Sequence, residues 1–139
     1  LVKAPKVYFR DTGMLHALLG LTSAEDVMSH PRCGFSWEGF ALEEVIRAAQ
    51  ADRDSYFYRT HAGVEMDLVV LRGGRRYGFE FKFADAPRLS RSMLVARDDL
   101  KLKRIWIVYP GDRSSTLADG IETIPVAELP KAVNVLRNS

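Results

Sequence analysis

Apolar and polar positions alternate most clearly between residues 64 and 83, where two β-like runs, 64–72 and 75–83, flank Gly73-Gly74. Paired glycines between such runs predict a two-residue hairpin, since glycine takes the positive φ that these turns need. A tight turn sets Arg72 opposite Arg75, Asp67 opposite Glu80 and Glu65 opposite Lys82. With side chains alternating at period two, Val64, Met66, Leu68, Val70, Tyr77, Phe79, Phe81 and Phe83 collect on one face, the expected core face. The other face then holds Asp67, Glu80, Glu65 and Lys82, all at the end away from the turn.

The same reading extends along the chain. Residues 1–10 form a linker that enters a β-like run at 6–9. Asp11 or Thr12 caps a helix to Leu19, with Gly20 ending it, and Ser23 caps a further short turn to Met28. A loop over 29–34 precedes a long helix from Ser36, as N-cap, to Ala51. On that helix Glu38 lies on the inward stripe with Leu42, Val45 and Ala49, whereas Glu43, Arg47 and Gln50 face outward. Residues 55–60 read as a strand, so 55–60, 64–72 and 75–83 make a three-strand meander. Ser90 caps a helix to about Leu102, 104–109 is a buried strand, 121–124 is a short one, and Pro125 opens a last helix to Leu136. Strand, helix and strand in succession after the hairpin imply a parallel crossover. The fold class is α/β, a central mixed sheet with flanking helices. The first 34 residues are a linker with a short helical segment, and 35–139 are the main domain.

Length and composition add limits. A chain of 139 residues is long enough for one domain with a sizeable core. No apolar run is long enough to span a membrane, and no signal peptide opens the chain. Cys33 is the single cysteine, so an intrachain disulfide is excluded, which fits a reducing cytoplasm. Because the chain starts at Leu1, it is expected to be a piece of something longer. The net charge of +2 announces no polyanion partner, but residues 71–104 hold ten basic and four acidic groups. That stretch is read as a phosphate-facing patch beside the acids, or equally as a solvated helix face.

The acids carry the candidate chemistry. Two carboxylates directly across a ladder repel, and a sheet selected for stability alone avoids them. A divalent cation between them reverses the sign, and Mg²⁺ takes carboxylate oxygens while retaining waters. Lys82, two residues beyond Glu80, points the same way and suits a phosphate or the attacking hydroxide. The structural alternative is a solvated face on which Lys82 pairs with Glu65 or Glu80. Glu38, in the first turn of its helix, either joins the site or complements the helix dipole. Arg59 and His61 stay undecided. No P-loop, zinc spacing or Ser/His/Asp set is present in the sequence.

Asp67, twelve intervening residues and Glu80-Phe81-Lys82 resemble the D…(D/E)-x-K signature of the PD-(D/E)XK nuclease superfamily, although Met66 stands where the proline of the name would be. The wider string Lys6-Val7-Tyr8-Phe9-Arg10-Asp11-Thr12-Gly13, Trp37-Glu38-Gly39-Phe40, Tyr58-Arg59-Thr60 and Gly63-Val64-Glu65-Met66-Asp67 resembles the C-terminal domain of a prokaryotic family of AAA+ type ATPases. That domain is of uncharacterised function with a nuclease-like core. The resemblance implies a restriction-endonuclease-like αβββαβ core, which the element order read above matches. It implies Mg²⁺ or Mn²⁺ held by Glu38, Asp67 and Glu80, with Lys82 as a catalytic residue beside Asp67 and Glu80. If active, such a domain is a phosphodiesterase on DNA or RNA, with nucleic acid as partner and an ATPase module N-terminal to Leu1. The competing expectation is an inactive nuclease-fold module that regulates the ATPase or binds nucleic acid or protein.

Overall fold

A computed structural model describes residues 6–138; the linker expected over 1–5 lies outside the described residues. The elements are α1 (Thr12–Leu18), α2 (Ala24–Ser29), α3 (Cys33–Ala49), β1 (Ser55–Arg59), β2 (Glu65–Arg72), β3 (Arg75–Phe81), α4 (Arg91–Leu100), β4 (Leu102–Tyr109), β5 (Ser115–Ala118), β6 (Ile121–Pro125) and, after one 3-10 turn, α5 (Leu129–Arg137). From α3 to β4 they run in the expected αβββαβ order. The sheet order is β1-β2-β3-β4-β6-β5: an antiparallel meander, then β4 and β6 parallel to β3, then β5 antiparallel at the edge.

Side-chain patterning explains the layers. Leu68, Val70, Tyr77, Phe79 and Phe81 pack with Trp106 and Val108 against α3 and α5, through Ala41, Val45, Ala49, Ala132, Val133 and Leu136. On the opposite face Met66, Val69, Ile105, Ile107 and Ile121 pack under α4, through Met93 and Ala96. Complete burial of each large side chain, such as Phe79 or Ile105 at 0% exposure, contributes about 1.5–3 kcal/mol. Both faces of the central strands are therefore buried, not one.

Local chemistry sets the helix ends. Asp11 caps α1 by accepting from the Met14 N–H, Ser23 and Asp26 close a capping box on α2, and Ser90 caps α4 through the Met93 N–H. α4 stops at Leu100 because Lys101 turns left-handed (φ 53°), so β4 begins at Leu102, two residues before the expected start. Ser36 is not an N-cap. α3 starts at Cys33 with no side-chain cap, and buried Ser36 instead lies 2.6 Å from His16 Nε2 on α1. Residues 6–9 form no strand; they lie as an extended strap on α3, with Tyr8 stacked on Phe35 at 4.8 Å. Arg10 ends the strap, bonding Glu43 of α3 and Asp52.

The hairpin register is the predicted one, Leu68↔Phe79 through Arg72↔Arg75, with Gly73 and Gly74 both at positive φ. The face assignment differs at one end. Pairing with β1 steps from Tyr56↔Val69 to Tyr58↔Met66, so Asp67 and Leu68 of β2 stand against the single Phe57. Such a bulge slips the alternation by one. Met66 and Val64 consequently leave the expected core face and pack on the α4 side with Val69. Phe83 also departs from expectation: it is 42% exposed and meets Trp37 at the rim of the sheet.

Gly78 registers this geometry. A Cβ there would come within 2.9 Å of Leu102 Cδ1 and 3.0 Å of Met66 Sδ, so these buried side chains would have to shift. Gly78→Ala is expected to destabilise the domain by about 1–3 kcal/mol in urea melts. Gly34→Ala on α3, where the nearest atom is Phe83 at 3.5 Å, is expected to be neutral or stabilising by up to about 1 kcal/mol.

Candidate functional site

The site forms where β2 and β3 part. The next step of the register after Leu68↔Phe79 sets Asp67 across from Glu80, and there the backbone ladder stops. A buried N–H needs an acceptor. The Phe81 N–H finds it in Asp67 Oδ2 at 3.0 Å rather than in a β2 carbonyl. The bulge at Asp67 and Leu68 is what turns the Asp67 carboxylate to this position.

Asp67 and Glu80 are 8% and 5% exposed, close enough for the Asp67 carboxylate to act electrostatically on Glu80. Lys82 Nζ stands 3.3 Å from Glu80 Oε2, and Lys6 Nζ of the strap stands 3.4 Å from Asp67 Oδ1. Glu38 projects from α3 toward the same cluster, close enough to interact electrostatically with Asp67 and Lys82, and accepts from the Tyr8 hydroxyl at 3.4 Å. Of the four residues singled out from the sequence, Asp67 and Lys82 thus interact with both Glu38 and Glu80. The structure adds Lys6 and Tyr8. Among the described residues no three carboxylate, imidazole or thiol side chains stand close enough to enclose a metal ion as they are placed.

Other expected neighbours are elsewhere. Glu65 does not pair with Lys82; its carboxylate faces Arg59 of β1 at 4.0 Å. His61 lies exposed in the turn between β1 and β2. Most of the basic stretch is away from the acids: Arg75, Arg76, Arg97, Lys101, Lys103 and Arg104 line the opposite, turn end of the hairpin, while Lys82 stands beside Glu80.

Electrostatics follow from burial. The Glu80 carboxyl is pushed up to about 8, first by burial and then by Asp67, with Lys82 working against the rise. Burial also raises Glu38, opposed by Lys6 and Lys82 and reinforced by Asp67. Burial works against the charge on Lys6, yet the Asp67 and Glu38 carboxylates raise its proton affinity. Burial and the adjacent Glu38 raise the Tyr8 phenol. The cluster therefore holds three acids against two ammonium groups, and a proton on Glu80 restores neutrality.

Lys6 and Tyr8 lie inside the stretch that carries the sequence resemblance, but no periodicity connects them to residues 61 and 30 positions away. Their separation in sequence hid the contact.

Fold and site define a mixed α/β domain whose meander carries a buried acid pair between two lysines. Residues 33–129 match the family described as "Domain of unknown function (DUF4143)", and the chain belongs to that family. It is 43% identical over 127 residues to the uncharacterized protein Rv2008c of Mycobacterium tuberculosis and to the uncharacterized protein Mb2031c of Mycobacterium bovis. Those 127 residues are 91% of this chain but 29% of each relative, whose C-terminal part they match. Among solved structures, protein VC1899 from Vibrio cholerae aligns over 76% of this chain and 34% of its own, with a TM-score of 0.46 and 12% identity. That likeness is too distant to bear on fold or function.

An acid whose folded proton affinity is raised lends stability below its unfolded value, near pH 4.5, and loses it as pH rises through the folded value, here about 8. Glu80→Gln is therefore expected to raise Tm relative to the native chain at pH 9 and to change it little at pH 5. Melts at the two pH values check this.

Proposed function

We propose that this domain is a divalent-cation-dependent phosphodiesterase of nuclease type, acting on nucleic acid. The observation that carries the reading is the buried Asp67–Glu80 pair with Lys82 3.3 Å from Glu80. Removing two carboxylates from water side by side is costly, and their placement calls for positive charge between them. The donor set suits a hard cation that takes oxygen ligands. Asp67 and Glu80 would hold Mg²⁺ or Mn²⁺, with Glu38 completing the set after release from Tyr8. The bound cation would supply Lewis-acid polarisation of a phosphoryl oxygen.

The chain's own groups have separate tasks. Lys82 is 44% exposed on its side chain, so its ammonium can meet a phosphate oxygen from solvent while remaining beside Glu80. It is placed to stabilise charge that develops on the phosphoryl group. Asp67, fixed by the Phe81 N–H, cannot swing away when Lys6 does. Trp37 and Phe83, ring centroids 5.8 Å apart at the rim, offer an apolar edge beside the site.

A second reading is supported by the internal pairing. Lys6 with Asp67, Lys82 with Glu80 and Tyr8 with Glu38 already satisfy every acid of the cluster. On this reading the domain is an inactive nuclease-fold module, serving as a regulatory or binding appendage of the longer proteins it matches. The likeness to AAA+ ATPase C-terminal domains suggests an ATPase as the remainder, in the cytoplasm.

Calorimetric titration with Mg²⁺ and Mn²⁺ separates the two. The enzyme reading expects one cation bound per chain and binding reduced at least tenfold in Asp67→Asn. Lys82→Ala is expected to keep or tighten that binding while abolishing cleavage of a labelled oligonucleotide. A Lys82→Ala chain that melts lower and is indifferent to Mg²⁺ supports the structural reading instead.

A further inference from the structure

Six cations gather at the end of the sheet away from the acid cluster. A broad groove of about 1040 Å³ is lined there by Arg75 and Arg76 of β3, Arg97 and Lys101 at the end of α4, and Lys103 and Arg104 of β4. Three of them serve the fold. Arg76 donates to the Leu100 carbonyl at 2.9 Å, and Arg97 bonds the Asp119 carbonyl and Asp98, each at 3.1 Å. Arg104 pairs with Glu122 at 3.1 Å and lies over the Trp106 ring.

The other three, Arg75, Lys101 and Lys103, are exposed and make no ion pair among the described residues. Separate backbone devices present them. Arg75 follows the Gly73-Gly74 turn, and Lys101 is the left-handed cap of α4. Lys103 is the extra residue of a bulge in β4, between the pairs Arg76↔Leu102 and Tyr77↔Arg104. Bulges commonly re-aim side chains in this way. The groove also holds Asp98, Glu122 and Asp119, of which the first two have arginine partners already.

We propose that this groove binds the phosphate backbone of nucleic acid without reading its bases. Arginine and lysine from three elements converge on one concave face, the arrangement that gathers successive phosphates. None of the lining residues is aromatic, so no base has a stacking platform. The one large apolar lining residue, Leu102, is buried, so an acidic peptide would find no pocket for an anchoring side chain. The groove lies about 17 Å from Glu80 along β3, five residues at strand spacing. It stands on its own residues, whether or not the acid cluster cleaves anything.

The test is fluorescence anisotropy of a labelled 20-base-pair duplex, titrated with the 139-residue chain at three salt concentrations. Binding that weakens with salt is expected. The triple variant R75E/K101E/K103E is expected to lose at least tenfold in affinity and to flatten the log–log salt slope by about 2–3, near 0.9 per phosphate contact. The titration is run in EDTA, where no divalent cation supports cleavage, so a failed cleavage assay does not count against the groove. Should charge reversal lower Tm, R75Q/K101Q/K103Q takes its place with the same direction of change. Absent duplex binding, native-like affinity in the triple variant, or tighter binding of a poly-glutamate peptide of equal charge would each overturn the proposal.

Discussion

Two carboxylates held side by side inside a sheet set the terms for what surrounds them. Asp67 and Glu80 have almost no contact with water, so neither solvent nor salt relieves their repulsion. The surrounding structure supplies relief piece by piece. The β2–β3 ladder stops so that the Phe81 N–H can bond Asp67, and the strap crosses α3 so that Lys6 can reach the same acid. Gly39 lets the strap lie close: a Cβ there would sit 3.0 Å from the Tyr8 ring. Arg10 then ties the strap's end to Glu43 and Asp52. Each of these features is costly or odd alone and follows from the acid pair.

The bulge that positions Asp67 also reorganises the core. Slipping the alternation sends Met66 to the α4 face, where it occupies the space over Gly78. A larger residue at 78 would leave Met66 no place, and the bulge would be strained against its own strand. A second bulge, at Lys103, acts at the other end of the sheet and turns a lysine outward. Between the two ends the strands are regular and apolar on both faces. The regular middle keeps the acid cluster and the basic groove about 17 Å apart along β3.

Much of this was legible in the sequence, and what was not has a common cause. The hairpin register could be read because Gly73-Gly74 fixes it locally and alternation then propagates it. Glu38 was placed on the inward stripe of its helix because a helix carries its own periodicity. The bulge was not legible, since it arises from pairing between β2 and β1 rather than from β2 alone. Ser36 reads as an N-cap in isolation, yet its partner is His16, twenty residues earlier. β5 was missed although Asp119-Gly120 is a turn signal, because its four residues carry too little pattern to stand out. The basic stretch is visible in the sequence, but most of it lies at the other end of the sheet, since nearness in sequence to Glu80 is not nearness along a strand.

The two readings of the acid cluster differ in how its charge is balanced, and the balance can be followed residue by residue. With one proton among the three acids, two negative charges face the two ammonium groups of Lys6 and Lys82. On the metal reading, one divalent cation entering with loss of that proton would add one net positive charge. Withdrawal of Lys6 would remove it, leaving the cluster neutral before and after. Lys6 is suited to withdraw: its side chain is 36% exposed and its contact with Asp67, at 3.4 Å, is long for a charge-assisted bond. Lys82 is held from both sides of the exchange, since Glu80 faces it in either state. On that reading Lys6 and one proton would together stand in for a divalent ion, and on the structural reading they are the permanent partners of the acids.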